Sequence, residues 1–243
     1  MAVEYCIISI GALSHNKFWG ENAPLRSSHA TTTLVSDEGR LILVDPSLPA
    51  QALAPRFNER TGKQLSDVTD VFCTTLRPVH RRSIEALPQA RWWCSESELE
   101  SYSRHLLGLL DSAGRMEGRC TDPNHAHSHP SHEAGDATTL IAKELKLLER
   151  FKAAPDKFTA QVDLYPLPGA SEGSAGLLLT PATTSIVIAG DAVLTGEHLQ
   201  RAMVWEGCTD IERARRSIED VLEVADVIIP GHDNILLSPG RWI

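Results

Sequence analysis

The sequence is short of positive charge: 32 acidic residues outnumber 23 basic ones, a formal net charge of -9. A surface with that bias repels a phosphate backbone rather than gathering it, so nucleic acid is not an expected partner. The first twelve residues, MAVEYCIISIGA, have neither the basic start nor the long apolar stretch of a signal peptide. No window approaches the roughly 20 apolar residues that a membrane span requires. The expectation is a cytoplasmic protein with no membrane partner. Cysteine is sparse and unpaired: Cys6, Cys73, Cys94, Cys120 and Cys208 are odd in number, scattered, and form no CxxC pair. That excludes a disulfide framework and a thiolate zinc site, and the three inside apolar runs read as buried, inert thiols. There is no GxSxG and no pattern pairing a serine or cysteine with a base, so nucleophilic catalysis by either is not expected.

What is present is enough for a substantial core: 243 residues, 42% of them hydrophobic. Strand-like runs open the chain at Val3 to Ile10, Thr31 to Val35 and Leu41 to Val44, the last two joined by the turn Ser-Asp-Glu-Gly, as in a meander. Val68 to Cys73 is a further apolar run that ends in the polar Thr74 and Thr75. A short helix is expected over His80 to Leu87. Ser95 followed by Glu98 is a capping-box pattern, with Leu99, Tyr102, Leu106 and Leu109 at helical spacing behind it, which predicts a helix over 96–111. Residues 112–135 are poor in large apolar side chains and read as a loop. Asp136 then caps an expected helix whose face is Leu140, Ile141, Leu145, Leu148 and Phe151. The pair reads as an inserted helical lid, about 96–155, on a single domain spanning 1–243.

The second half supplies strands at Val162 to Leu167, Gly176 to Thr180, Ser185 to Ala189 and Val227 to Ile229. Between the last two lies a helix expected to open at Thr209 with Glu212 as its box partner. LILVDP around Asp45 and IVIAGD around Asp191 are each an apolar strand followed by a carboxylate. Strands that are apolar on both faces need cover on both sides, which predicts two sheets packed face to face and clad by helices: a four-layer αββα sandwich.

Three segments place a potential metal ligand just past a strand: His80, Asp191 and His232. Two imidazoles and a carboxylate suffice for one divalent ion and leave positions open for water, the arrangement of a catalytic rather than a structural site. By spacing alone the same residues also read as strand-end caps. The run NHAHSHPSH, with His125, His127, His129 and His132, is the densest set of ligand-capable side chains. It reads as solvent-exposed or adventitious, with metal storage or delivery as the alternative.

The order of these segments resembles that of metallo-β-lactamase-fold hydrolases across nearly the whole chain. ILVDPSLP at 42–49 is similar to the family's VDTG-type segment, VFCTTLRPVHRR at 71–82 to its strand and HxHxDH loop, and PLPGASEGSAGLLL at 166–179 to its PGHTPGS segment. IAGD at 188–191 and IIPGH at 228–232 resemble the segments carrying the bridging aspartate and the last histidine. The resemblance implies the αββα fold. It also marks departures: Thr75, Arg77 and Val79 stand where the first His, second His and Asp of HxHxDH belong, and Ala170 stands at the PGH ligand position. All three histidines of the first metal are missing. His80, Asp191 and His232 correspond to the second.

The resemblance therefore implies a divergent metallo-hydrolase with an atypical, at most mononuclear centre. His80, Asp191 and His232 hold zinc, manganese or iron, with Asp191 and His80 as the catalytic pair and water as the nucleophile. Arg77 has no lone pair for a metal and keeps its charge, so it attracts an anion; with Thr75 and His29 it forms the candidate substrate contacts, and a small anionic molecule is the expected partner. Alternatively Arg77 replaces the metal's charge by pairing with Asp191 or Asp45. The protein is then a non-catalytic anion-binding or sensor domain without a metal. Arg81 and Arg82 read as solvated helix charges.

Overall fold

The computed structural model describes residues 2–117 and 131–238. Strands β1 (Glu4–Ser9), β2 (Thr32–Asp37) and β3 (Arg40–Val44) form the expected antiparallel meander. Helix α1 (Ala50–Thr61) follows, and then β4 (Asp70–Phe72) pairs parallel with the meander's last strand and β5 (Arg91–Cys94) parallel with β4. Helices α2 (Glu96–Glu117) and α3 (Ser131–Leu148) lie between β5 and the parallel strand β6 (Phe151–Ala153), which completes a six-stranded sheet. The second sheet contains β7 (Lys157–Thr159), β8 (Val162–Pro166), β9 (Ala175–Leu179) and β10 (Ile186–Gly190). After helices α4 (Gly196–Gln200) and α5 (Ile211–Val224) come β11 (Val227–Pro230), parallel to β10, and β12 (Leu236–Leu237).

Alternation within the strands builds the layers. In β3, Leu43 joins Phe57, Trp92 and Leu148 in a core between the first sheet and helices α1 to α3, while Ile42 and Val44 face Leu177, Ile186 and Ile188 between the sheets. In β10 the split recurs: Ile186 and Ile188 face the first sheet, and Val187 and Ala189 pack with Ile218 and Val221 of α5. Side chains of period two thus separate a four-layer αββα sandwich, each fully buried Ile or Leu contributing about 2 kcal/mol.

Several boundaries differ from the sequence reading. Helix α2 runs on to Glu117, six residues past its expected end at 111. Helix α3 begins at Ser131, so Asp136 lies inside it instead of at its cap, and Phe151 belongs to β6, where its ring packs 5.6 Å from Trp92. The 80–87 segment is two 3-10 turns, Pro78–His80 and Ile84–Ala86. Helix α5 is capped by Asp210, whose side chain accepts from Arg213 N, one residue beyond Thr209. The capping box at Ser95 is half made: Ser95 Oγ accepts from Glu98 N, but the Glu98 carboxylate turns away. Arg81 is buried, bonded to the Leu76 carbonyl and the Glu144 carboxylate, and is not a solvated charge; Arg82 is exposed. Cys73 and Cys94 are fully buried, and burial pushes both thiols up. His125, His127 and His129 fall outside the described residues, as does the side chain of His132. Among the described residues, no helix is long and apolar enough to cross a membrane.

Candidate metal centre

The site assembles where parallel strands end. Asp45 follows β3 and His80 closes the turn after β4, while Asp191 follows β10 and His232 follows β11. Each sheet therefore contributes one adjacent pair of carboxyl-terminal strand ends. Backbone bonds lock the second pair: Gly231 N donates to Val193 O at 3.0 Å, His232 N to Leu194 O at 2.8 Å, and Thr31 N to Gly231 O at 2.7 Å. Gly231 is required by this close approach. A Cβ there would lie 2.7 Å from Asp191 Oδ1 and 2.9 Å from the Gly190 carbonyl, distances no side chain tolerates.

Asp45 holds a non-glycine positive φ of 49°, a conformation that persists only when its surroundings fix it. They do: Thr74 N and Oγ1 donate to its carboxylate at 2.9 and 2.7 Å, and His80 Nδ1 lies 3.0 Å from Oδ2. The other ring nitrogen of His80, Nε2, lies 3.1 Å from Asp191 Oδ2. Carboxylate oxygens can only accept, so both nitrogens donate and the ring is an imidazolium. Burial pushes the His80 pKa down, but the Asp191 and Asp45 carboxylates prevail and raise it to about 10. Burial likewise opposes ionisation of Asp191, yet the charge of His80 and the neighbouring His232 ring hold it well below the usual carboxylate range.

His80, Asp191 and His232 are all buried, and each offers a ligand atom within 4.8 Å of the others. His232 Nδ1 lies 2.9 Å from the His29 carbonyl and must carry a hydrogen. Its Nε2 faces Asp191 Oδ1 at 3.2 Å. Oδ1 is a buried carboxylate oxygen whose nearest polar neighbour is that ring nitrogen and which makes no well-formed hydrogen bond among the described residues. A buried carboxylate with His80 Nε2 3.1 Å from Oδ2 and His232 Nε2 3.2 Å from Oδ1 is a donor set that fits a divalent cation, with the contacts of Asp45 and the His29 carbonyl as orienting partners of the two rings.

Arg77 limits what else can bind there. Its Nη1 donates to Asp191 Oδ2 at 2.8 Å, Nη2 donates to the Ala170 carbonyl, and its guanidinium carbon lies 3.7 Å from the centre of the Trp205 ring. The guanidinium therefore joins the very segments that departed from the motif, the 77 and 170 positions, to the shared aspartate. Asp45, the other partner considered for Arg77, bonds His80 instead.

Two expected substrate contacts are placed elsewhere. Thr75 is buried, its Oγ1 donating to Glu98 Oε1 at 2.7 Å, and Glu98 also accepts from Leu76 N at 2.8 Å and Ser171 Oγ at 2.6 Å. The His29 ring lies 3.0 Å from the Ile10 carbonyl and lines a separate groove; its backbone, not its side chain, serves the site. The site opens into a cavity of about 320 Å³ walled by Leu13, Phe18, Leu194, Met203 and Trp205. Arg77, His198 and His232 are among its polar residues. The sequence reading passed over Trp205 and His198; both follow the Asp191 strand end, the only signal that marked them.

No family model and no curated protein matches the sequence. Solved structures do. A structure described as a metallo-beta-lactamase from Thermotoga maritima covers 98% of this chain and 100% of its own at a TM-score of 0.65 and 15% identity. AidC, a dizinc quorum-quenching lactonase in complex with a homoserine product, covers 95% and 84% at a TM-score of 0.60 and 16% identity. A variant of B. thuringiensis AiiA with N-decanoyl-L-homoserine at its active site covers 96% and 94% at 0.61 and 18%. At these identities the likeness is one of fold, and that fold is the metallo-β-lactamase sandwich.

Proposed function

We propose that this chain, built on the metallo-β-lactamase fold, is a hydrolase with a single divalent ion held by His80, Asp191 and His232, acting on a small anionic substrate. The observation that carries the reading is the buried Asp191 carboxylate set against two oriented imidazoles, His80 Nε2 3.1 Å from Oδ2 and His232 Nε2 3.2 Å from Oδ1, the latter oxygen making no hydrogen bond among the described residues. Zinc, manganese or iron in such a three-ligand set would supply an acidified water and polarise a carbonyl or phosphoryl oxygen. The protein's own residues do the rest. Asp45 and the His29 carbonyl fix the two imidazoles, so the ligands are set before the ion arrives. Arg77, whose side chain is 22% exposed at the cavity, keeps N–H groups available for an anion while Trp205 covers one face. The apolar wall excludes water from an apolar substrate portion. Structures of this fold hold N-hexanoyl- and N-decanoyl-L-homoserine, each a carboxylate with an apolar chain, and the cleft here offers the same mixture.

One observation favours a second reading. Arg77 and His80 already place two cationic groups against Asp191, so the site balances its charge without an ion, as in a binding or sensor domain. Purification without chelator, reloading with zinc, manganese or iron, and assay against esters, lactones and phosphodiesters distinguishes the two. Near-unit metal content with turnover abolished by His232→Ala supports the hydrolase. Metal content far below one ion, with ligand stabilisation insensitive to EDTA, supports the binding domain.

A further inference from the structure

Helix α4 contributes a second kind of group to the cleft. Thr195, its cap, has one hydroxyl hydrogen and two neighbours: Glu197 Oε2 at 2.9 Å and His198 Nδ1 at 2.8 Å. A carboxylate oxygen can only accept, so the hydroxyl donates to Glu197 and the Thr195 oxygen accepts from His198 Nδ1–H. Glu197 is itself held from the other side by Trp19 Nε1 at 2.7 Å. The result is a chain, indole to carboxylate to hydroxyl to imidazole, that fixes one tautomer of His198. Its Nε2 carries the lone pair, and no hydrogen bond engages that atom among the described residues. The ring packs edge-on against Phe18 with centroids 4.8 Å apart and lines the same cavity as Arg77, Asp191 and His232.

We infer that His198 is the proton-transfer residue of the cleft, its Nε2 acting as general base toward water, with Thr195 and Glu197 as positioning residues. The inference rests on the hydrolase reading for its reaction. In that reaction water gives one proton to Nε2 as its oxygen bonds to the acyl or phosphoryl centre. The bond to the leaving oxygen breaks with its electron pair, and Nε2–H returns the proton to that oxygen. Base catalysis requires a neutral ring, and partial burial keeps the His198 pKa below the ordinary histidine value against the opposing pull of Glu197 and Glu206. The other charged groups around it are Lys17, paired with Glu206, and Arg201, which packs over Phe18; the titratable rings of His15 and His232 also stand in the cavity wall. The commoner role of this Thr195 contact, closing the first turn of a short helix, accounts for His198 N but not for the ring nitrogen or for Glu197.

The test uses the full chain with metal bound. Nitrogen NMR of the histidine rings at neutral pH is expected to show His198 as the Nδ1–H tautomer in wild type and to lose that preference in Thr195→Val; an Nε2–H tautomer in wild type overturns the inference. With p-nitrophenyl butyrate, N-hexanoyl-homoserine lactone and bis-p-nitrophenyl phosphate as probes, His198→Asn is expected to lower kcat about 100-fold or more. KM and metal content stay near wild type, the lower pH limb disappears, and imidazole restores rate to His198→Ala. His198→Asn with wild-type kcat and an unchanged pH profile overturns it. Wild type that turns over no probe sinks the hydrolase reading and the general-base role with it, while the tautomer separately decides whether Thr195 and Glu197 position the ring.

Discussion

Arg77 Nη1 and Asp191 Oδ2 are bonded at 2.8 Å, so the carboxylate proposed to hold the ion already carries a fixed cation on its other oxygen. In the proposed centre the two oxygens of Asp191 take different roles, Oδ2 for Arg77 and His80 and Oδ1 for the ion.

Removing that cation should move metal affinity and stability in opposite directions. Arg77→Met is expected to tighten zinc or manganese binding about tenfold or more, since a unit charge a few ångströms away repels a cation by more than 1 kcal/mol at a protein surface. The same variant should lose about 1–3 kcal/mol of stability from the metal-free protein, through the lost charged hydrogen bonds and the lost packing on Trp205. Titration calorimetry and denaturant unfolding measure the two effects separately. Unchanged metal affinity would show that Arg77 does not oppose the ion.

The four-layer architecture was legible because strands such as LILV and IVIA are apolar at every position, which only a sheet covered on both faces satisfies. Helix α1 escaped notice because Pro55 interrupts its pattern and only Leu53 and Phe57 anchor it. That His80, Asp191 and His232 come together was legible because each follows a strand that sequence pattern alone can find. The tertiary bonds were not: that Thr75 serves Glu98, that His29 contributes its carbonyl, or that Arg81 is buried depends on contacts between residues far apart in the chain.

Metal uptake should release a proton. At neutral pH His80 holds hydrogens on both nitrogens, and Nε2 must surrender one to become a ligand. Calorimetry in buffers of different ionisation enthalpy is expected to report about one proton released per ion, with affinity rising as pH rises from 6 to 9. Release of no proton would place the ion elsewhere.

Without metal, the same group sets a pH dependence of stability. The folded pKa of about 10 lies above the roughly 6.5 of an unfolded chain. The contribution is therefore fully present below about 6.5 and lost as pH rises through about 10. Denaturant midpoints of EDTA-treated protein are expected to fall over that range, and His80→Gln to flatten the fall. A wild-type midpoint that rises between pH 7 and 10 would contradict the imidazolium assignment.

Gly231 should tolerate no side chain. Gly231→Ala puts a methyl 2.7 Å from Asp191 Oδ1, so the expected result is a loss of about 1–3 kcal/mol of stability together with metal binding. An alanine variant that binds metal like wild type would mean that the two strand ends are not held this closely.

Anomalous scattering from crystals soaked in zinc or manganese tests the central claim most directly. The expected result is one peak within bonding distance of His80 Nε2, Asp191 Oδ1 and His232 Nε2, absent from His232→Ala crystals. A crystal that shows no peak between those three atoms at millimolar metal, with Arg77 still bonded to Asp191, would contradict it.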